Sequence, residues 1–294
     1  MPPLSRLIEH PEHGQSRWQL PLLIALTLLA FAGNSVLGRL ALATTAIQPA
    51  TYTLLRLASG ALMLALLVHW RRRHAGGVRQ AGDWYGAAAL FVYAAAFSFS
   101  YVSVATGLGA LLLFGAVQIT MIGAGIIAGE RPNPLHWLGL VLAFFGLVLL
   151  TRPGLDAPPL LGSALMLTAG IAWGVYSLHG RRSRDPLAAT AGNFVRASVL
   201  AAALAVLVWP ITPLPADGVG YALLSGMVTS GLGYALWYRV LPALSAVRAA
   251  GLQLTVPVLA TLAGAVLVAE PITLRVVVSG LLVLGGIALT LRRG

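Results

Sequence analysis

The sequence predicts an all-α integral membrane protein whose ten transmembrane helices form two inverted five-helix repeats around a central cavity. Three observations predict it. Of the 294 residues, 58% are hydrophobic and only 9% charged, against roughly 45–50% and 25% in soluble domains. Ten apolar windows follow one another at about the 20-residue length that crosses a bilayer. The two halves of the chain also resemble each other at a nearly constant offset.

The windows run Leu20–Leu42, Pro49–His69, Trp84–Val104, Thr106–Gly129, Pro134–Thr151, Leu160–His179, Ala188–Trp209, Gly218–Tyr238, Ser245–Ala269 and Leu274–Leu291. They leave only short connections, so function must reside inside the membrane. Residues 1–19 form a cytoplasmic N-terminal segment, 20–152 the first repeat and 153–294 the second. A secretory leader places a short apolar run directly after a basic start. Here Pro2, Pro3, Glu9 and Glu12 precede the apolar stretch, and helix one is expected to be retained. The 33 glycines and 17 prolines are scattered through apolar stretches, which membrane helices tolerate.

The composition excludes several functions. Without cysteine there is no disulfide framework, thiolate metal site or cysteine nucleophile. The net charge of +11 is carried by 19 positive residues, all arginine, and these are too thinly spread for a nucleic-acid face. They set orientation instead. With the N-terminus inside, thirteen fall on the inner side: Arg6, Arg17, Arg71, Arg72, Arg73, Arg79, Arg131, Arg181, Arg182, Arg184, Arg239, Arg292 and Arg293. Three, Arg39, Arg152 and Arg275, fall outside. Both termini are therefore expected in the cytoplasm.

Ser35, Gly38 and Arg39 in helix one lie over Ser177, Gly180 and Arg181 in helix six at an offset of 142. At 140, Leu55-Arg56 lies over Val195-Arg196, and Glu130, Gly146 and Arg152 over Glu270, Gly286 and Arg292. Phe97 and Tyr101 lie over Tyr234 and Tyr238 at 137. Because five is odd, the second unit enters the bilayer from the opposite side. Two inverted units suit alternating access, since exchanging their conformations opens one shared site to either side.

Arg56 and Arg196 early in helices two and seven, Gly129-Glu130 and Ala269-Glu270 closing helices four and nine, and Pro257 thirteen residues before Glu270 resemble the drug/metabolite transporter superfamily. More narrowly, the chain is similar to its EamA-type ten-helix exporters, from Trp18 onward. The resemblance implies a bacterial inner-membrane exporter, with amino acids and aromatic amino acids among its expected cargo. Val117, not proline, stands thirteen residues before Glu130, so a hinge at Pro257 has no counterpart in the first half.

Polar groups at membrane depth are costly unless they face a partner or a water-filled path. Asn34, Gln118 and Gln253 are such groups, the two glutamines sharing a Gln-x-Thr pattern with Thr120 and Thr255. Helix-to-helix hydrogen bonding is the competing role for these amides. Tyr93, Phe97 and Tyr101 recur every four residues, and Ser230, Tyr234 and Tyr238 form the matching stripe of helix eight with Trp237 beside it. Trp173 and Tyr176 lie over Phe31 and Asn34. Turned inward, these rings would wall a cavity for apolar or aromatic side chains; an interfacial belt is the alternative, and suits Tyr101 and Tyr238 best.

Arg56 and Arg196 sit about two turns inside their helices. There they either meet a substrate carboxylate in a two-pronged contact or serve a structural role at the helix end, the role the spacing favours. All eight acids fall in loops or at helix ends, which points to movement without a carboxylate-bound coupling ion. No metal site or cofactor is expected. Helices five and ten, almost wholly apolar, are expected to face lipid or a second copy of the chain.

The leading reading is therefore a carrier of small metabolites, above all neutral or aromatic amino acids. Its partners are that small-molecule substrate and the lipid bilayer, and no nucleic acid. An exporter of hydrophobic drugs is the runner-up. A channel or an intramembrane enzyme ranks below both, for no Gly-x-Ser-x-Gly, His-Glu-x-x-His or pair of membrane aspartates occurs.

Overall fold

The structure, a computed structural model, describes residues 19–75, 82–129, 134–151, 158–180, 183–208, 214–240, 244 and 252–290. Helices α1 to α5 span Gln19–Thr44, Pro49–Ala75, Trp84–Tyr101, Thr106–Ile127 and Pro134–Thr151. Helices α6 and α7 span Leu160–Gly180 and Pro186–Leu207. Helix α8 runs Ala216–Val240 with a central π-helical segment, Ser225–Leu232. Helices α9 and α10 follow at Thr255–Leu267 and Leu274–Thr290. Among the described residues there is no strand.

Seven of these helices, all but α3, α9 and α10, are long and apolar enough to cross a membrane. Helix α3 falls short because hydroxyls and rings replace aliphatic residues: Tyr93, Ser98, Ser100 and Tyr101 are all buried in the bundle. The window at Ser245–Ala269 is helical from Leu252, while 245–251 lie outside the described residues, as do the segment before Gln19, Glu130, Arg152, Arg181 and Arg292. Apolar side chains such as Leu22, Leu29, Leu62, Phe144, Phe145, Leu262 and Leu281 are exposed along the outside, as lipid contact requires.

Two aspartates start helices where sequence placed acids at helix ends. Asp83 caps α3, its Oδ1 accepting from Gly86 N–H at 2.7 Å, and Asp185 caps α7, accepting from Ala188 N–H at 3.0 Å ahead of Pro186. Both satisfy backbone donors that the first turn leaves open.

Helix α1 packs against α8 and α9, and α6 packs against α3 and α4. Helices α2 and α7 pack together, as do α4 and α9, and α5 and α10. The closest approach is backbone on backbone: a Cβ on Gly226 would lie 2.2 Å from the Arg56 carbonyl oxygen and 2.0 Å from Ser59 Oγ. Glycine there lets the π segment of α8 lie directly on α2. The α5–α10 pair lines no part of the central cavity.

Candidate functional site

Helices α1, α3, α4, α6 and α8 converge on a cavity lined by Asn34, Tyr93, Phe97, Trp173, Ser230 and Tyr234, with Phe31, Ser35, Leu113, Phe114 and Thr229 completing the wall. The rings interlock. Trp173 lies 4.9 Å from Tyr93 and 5.1 Å from Tyr234 between centroids. Phe31 meets Tyr234 edge-on at 6.1 Å, and Phe97 lies 5.7 Å from Tyr93. These are favourable aromatic geometries. The rings fill most of the space: the free volume is about 20 Å³, room for a single water molecule. The space is far smaller than the side-chain cavity that the sequence predicts.

Behind one wall runs a polar cluster. Asn34 Oδ1 accepts from Ser225 Oγ at 2.8 Å, and its Nδ2 lies 3.2 Å from Tyr93 Oη. Arg56 Nη2 donates to Tyr93 Oη at 2.9 Å, and Nε reaches Ser230 Oγ at 3.4 Å. The guanidinium lies over the rings of Phe97 and Tyr93, 4.6 and 5.2 Å from their centroids. At 2% exposure Arg56 is among the largest fully buried side chains.

Two groups of ion pairs and hydrogen bonds tie the helices to one another. In one, Arg39 Nε donates to Glu270 Oε1 at 2.8 Å, and Nη1 donates to the carbonyls of Tyr101 and Val102 at 2.9 and 3.0 Å. Glu270 Oε2 accepts from Thr106 N–H at 2.7 Å, a carboxylate placed on the positive N-terminus of α4. Ala269, at φ 55°, adopts a left-handed turn rare for residues with a side chain and reverses the chain between α9 and Glu270. In the other, Arg71 pairs with Asp185, and Asp83 Oδ2 meets His179 Nε2 at 2.7 Å. Tyr176 Oη donates to Thr190 Oγ1 at 3.3 Å, which donates to Tyr238 Oη at 3.2 Å. Burial opposes ionisation of Asp83, but hydrogen bonds from Gly86 N–H and His179 outweigh it and hold the carboxyl below its usual range.

A protein family described as EamA-like transporters matches residues 160–292. An uncharacterized protein of Pseudomonas aeruginosa is 56% identical over 270 residues, covering 92% of this chain and 93% of its own. The threonine/homoserine exporter RhtA of Salmonella typhimurium is 30% identical over 275 residues, 88% of each chain. The chain belongs to the EamA-like transporter family. RhtA of Escherichia coli K12 is similar to the same degree, 29% over 87% of each chain. A crystal structure 21% identical aligns with this EamA-like chain at a TM-score of 0.66, over 94% of it and 98% of the other, and so shares its fold.

Of the residues that sequence singled out in this EamA-like protein, Asn34, Tyr93, Phe97, Trp173 and Tyr234 meet at the cavity. Tyr176 is buried one ring away, 5.5 Å from Trp173, and Trp237 meets Phe31 edge-on at 5.8 Å. Gln118 is buried in α4 and Gln253 half-buried just before α9, neither in the wall. Pro257 faces a groove between α9 and α10. Arg196 donates to the Gly192 carbonyl at 3.1 Å and stacks 5.8 Å from Trp84, away from the cavity. Arg56, which the sequence matches to it, is the one that reaches residues of the cavity wall, Tyr93 and Ser230. Tyr101 is fully buried, edge-on to Phe97 at 4.6 Å, not part of an interfacial belt. Sequence reasoning left out Ser225 and Thr229; three hydroxyls within six residues of a glycine-bearing segment, Ser225, Thr229 and Ser230, were the available signal.

Proposed function

We propose that this transporter moves small metabolites, most of all neutral or aromatic amino acids, out of a bacterial cell across the inner membrane by alternating access. Its units are 20–152 and 153–294, inverted with respect to each other, with both termini in the cytoplasm. The observation that carries the reading is a single cage of rings and polar groups built by α1, α3 and α4 from one unit and α6 and α8 from the other. The helix packing supports inversion. Exchanging the units turns α1 on α8 into α6 on α3, and α1 on α9 into α6 on α4, while α2–α7, α4–α9 and α5–α10 map onto themselves. In this orientation Arg39 and Glu270 close the outer end and Asp83, His179, Arg71 and Asp185 the inner end, so the contracted cavity is the occluded stage of the cycle.

Amino acids as cargo draw support from the likeness to RhtA, named a threonine/homoserine exporter, and from the ring-walled cavity with its neutral hydroxyl and amide groups. The test is flux into liposomes containing the purified protein, screened over amino acids, sugars and cationic dyes. Saturable counterflow of a labelled neutral amino acid is the expected result, lowered in Trp173→Ala with the fold retained. Flux without exchange acceleration would make the protein a channel, and uptake of dyes alone would make it a drug exporter.

A further inference from the structure

We infer that the central site reads its substrate by a carboxylate and leaves the amine unread. The substrate class is then monocarboxylates with an apolar side chain, so that amino, 2-hydroxy and 2-oxo acids are all accepted. The inference rests on the transport reading of this same cavity and narrows it.

The site holds an unbalanced charge. Arg56 is buried, and the groups around its guanidinium are neutral: the hydroxyls of Tyr93 and Ser230 and the rings of Phe97 and Tyr93. Its Nη1 has no hydrogen-bond partner among the described residues. The described carboxylates that form ion pairs are engaged elsewhere, Glu270 with Arg39, Asp185 with Arg71 and Asp83 with His179. A buried cation is normally paired, because burial without a counter-charge is costly.

The position of this charge gives it a use. Tyr93 and Ser230, the two hydroxyls in contact with the guanidinium, both line the cavity, whereas Arg56 itself does not. The positive charge therefore stands one hydroxyl behind the wall. A carboxylate accepting hydrogen bonds from that wall would be backed by a full positive charge in a medium of low dielectric, which strengthens such bonds. An ammonium group meets no acid in the cavity wall, and the Arg56 guanidinium already lies over the rings of Tyr93 and Phe97, where its charge opposes a second cation. Phe31, Trp173 and Tyr234 remain to cover an apolar side chain.

The test compares four compounds with one ring and different ends in proteoliposomes preloaded with unlabelled L-phenylalanine: labelled phenylalanine, 3-phenyllactate, phenylalaninamide and phenethylamine. Counterflow of the first two within about threefold of each other, and at least roughly tenfold above the last two, is the expected result. Equal flux of phenylalanine and its amide, or exclusion of phenyllactate, overturns the inference and leaves amino-acid transport standing. Flux of none of the four overturns both. Arg56→Gln should cost the acids roughly a hundredfold in affinity and abolish their advantage over the amide. Should that variant not fold, Ser230→Ala keeps the charge and removes one donor. It is expected to weaken phenyllactate binding about fivefold without favouring phenethylamine, and unchanged phenyllactate affinity there counts against the inference.

Discussion

Replacing Glu270 by glutamine tests the proposed outer closure directly. The carboxylate makes two charge-assisted bonds, to Arg39 Nε at 2.8 Å and to Thr106 N–H at 2.7 Å, with 18% and 13% of the Arg39 and Glu270 side chains exposed. Exposed ion pairs contribute about 0–1 kcal/mol and breaking fully buried ones costs about 3–5 kcal/mol. This pair lies between, and the amide keeps one oxygen as an acceptor, so about 2 kcal/mol of the closed state is lost. That is roughly a 30-fold shift toward the outward-open form at 1.4 kcal/mol per tenfold. The chain has no cysteine, so a single reporter at Ser35→Cys, in the cavity wall and buried, can be labelled by a membrane-impermeant maleimide added outside. Labelling of the reporter in the Glu270→Gln background should run about 30-fold faster. An unchanged rate in a folded variant would refute the closure, and with it the role given to the Arg39 contacts on the carbonyls of Tyr101 and Val102.

Three further outcomes follow from the packing and the charges. Gly226→Ala places a methyl 2.0 Å from Ser59 Oγ and 2.2 Å from the Arg56 carbonyl; it should cost about 1–3 kcal/mol in thermal stability, and an unaltered melting temperature would contradict the contact between α8 and α2. The Asp83 carboxyl is held below its ordinary value, so its contribution is present above about pH 4 and disappears as pH falls through the folded value. Asp83→Asn, which can still cap α3, should therefore be less stable than the parent near neutrality, by under about 1 kcal/mol for so exposed a group, and converge on it as the pH falls through the folded value; a difference that does not shrink on acidification would argue against the pair with His179. Trp173→Ala removes the ring that touches Tyr93, Tyr176 and Tyr234, and KM for phenylalanine should rise about tenfold. Equal KM values in counterflow would remove Trp173 from the site.

The helices were legible because hydropathy is a local quantity: most windows lie within a few residues of the described elements, the second falling short of Ala75 and the ninth reaching into residues that are not described. The ring stripe of α3 was legible for the same reason, since fourfold spacing fixes a face whatever lies opposite. Gln118 and Gln253 show the limit. Periodicity tells which residues share a face but not how far each helix is rotated against its neighbours, and these two amides turn away from the cavity wall. Arg56 shows another. Two turns inside an apolar helix, an arginine reads first as a helix-end group, and only the meeting of α2 with Tyr93 and Ser230 brings it to the cavity wall. The Arg39–Glu270 pair joins residues 231 positions apart, a distance over which sequence pattern carries no geometric information. Its members were visible singly, as positions matched in the sequence repeat and at helix ends, but not as a pair.

The wide turn of α8 acts as a vernier between the two ends of that helix. An ideal α-helix advances about 100° per residue, whereas the segment Ser225–Leu232 closes its hydrogen bonds one residue later, so everything beyond it is phased one residue out of step. Thr229 and Ser230 lie within the wide segment and Tyr234 just beyond it, and all three line the cavity. Deleting one residue among Gly226, Met227 and Val228 would restore regular winding, leave hydropathy almost untouched and rotate Tyr234 by about 100° away from Trp173. A carrier of this shape is therefore far less tolerant of length changes in this stretch than of changes in residue type.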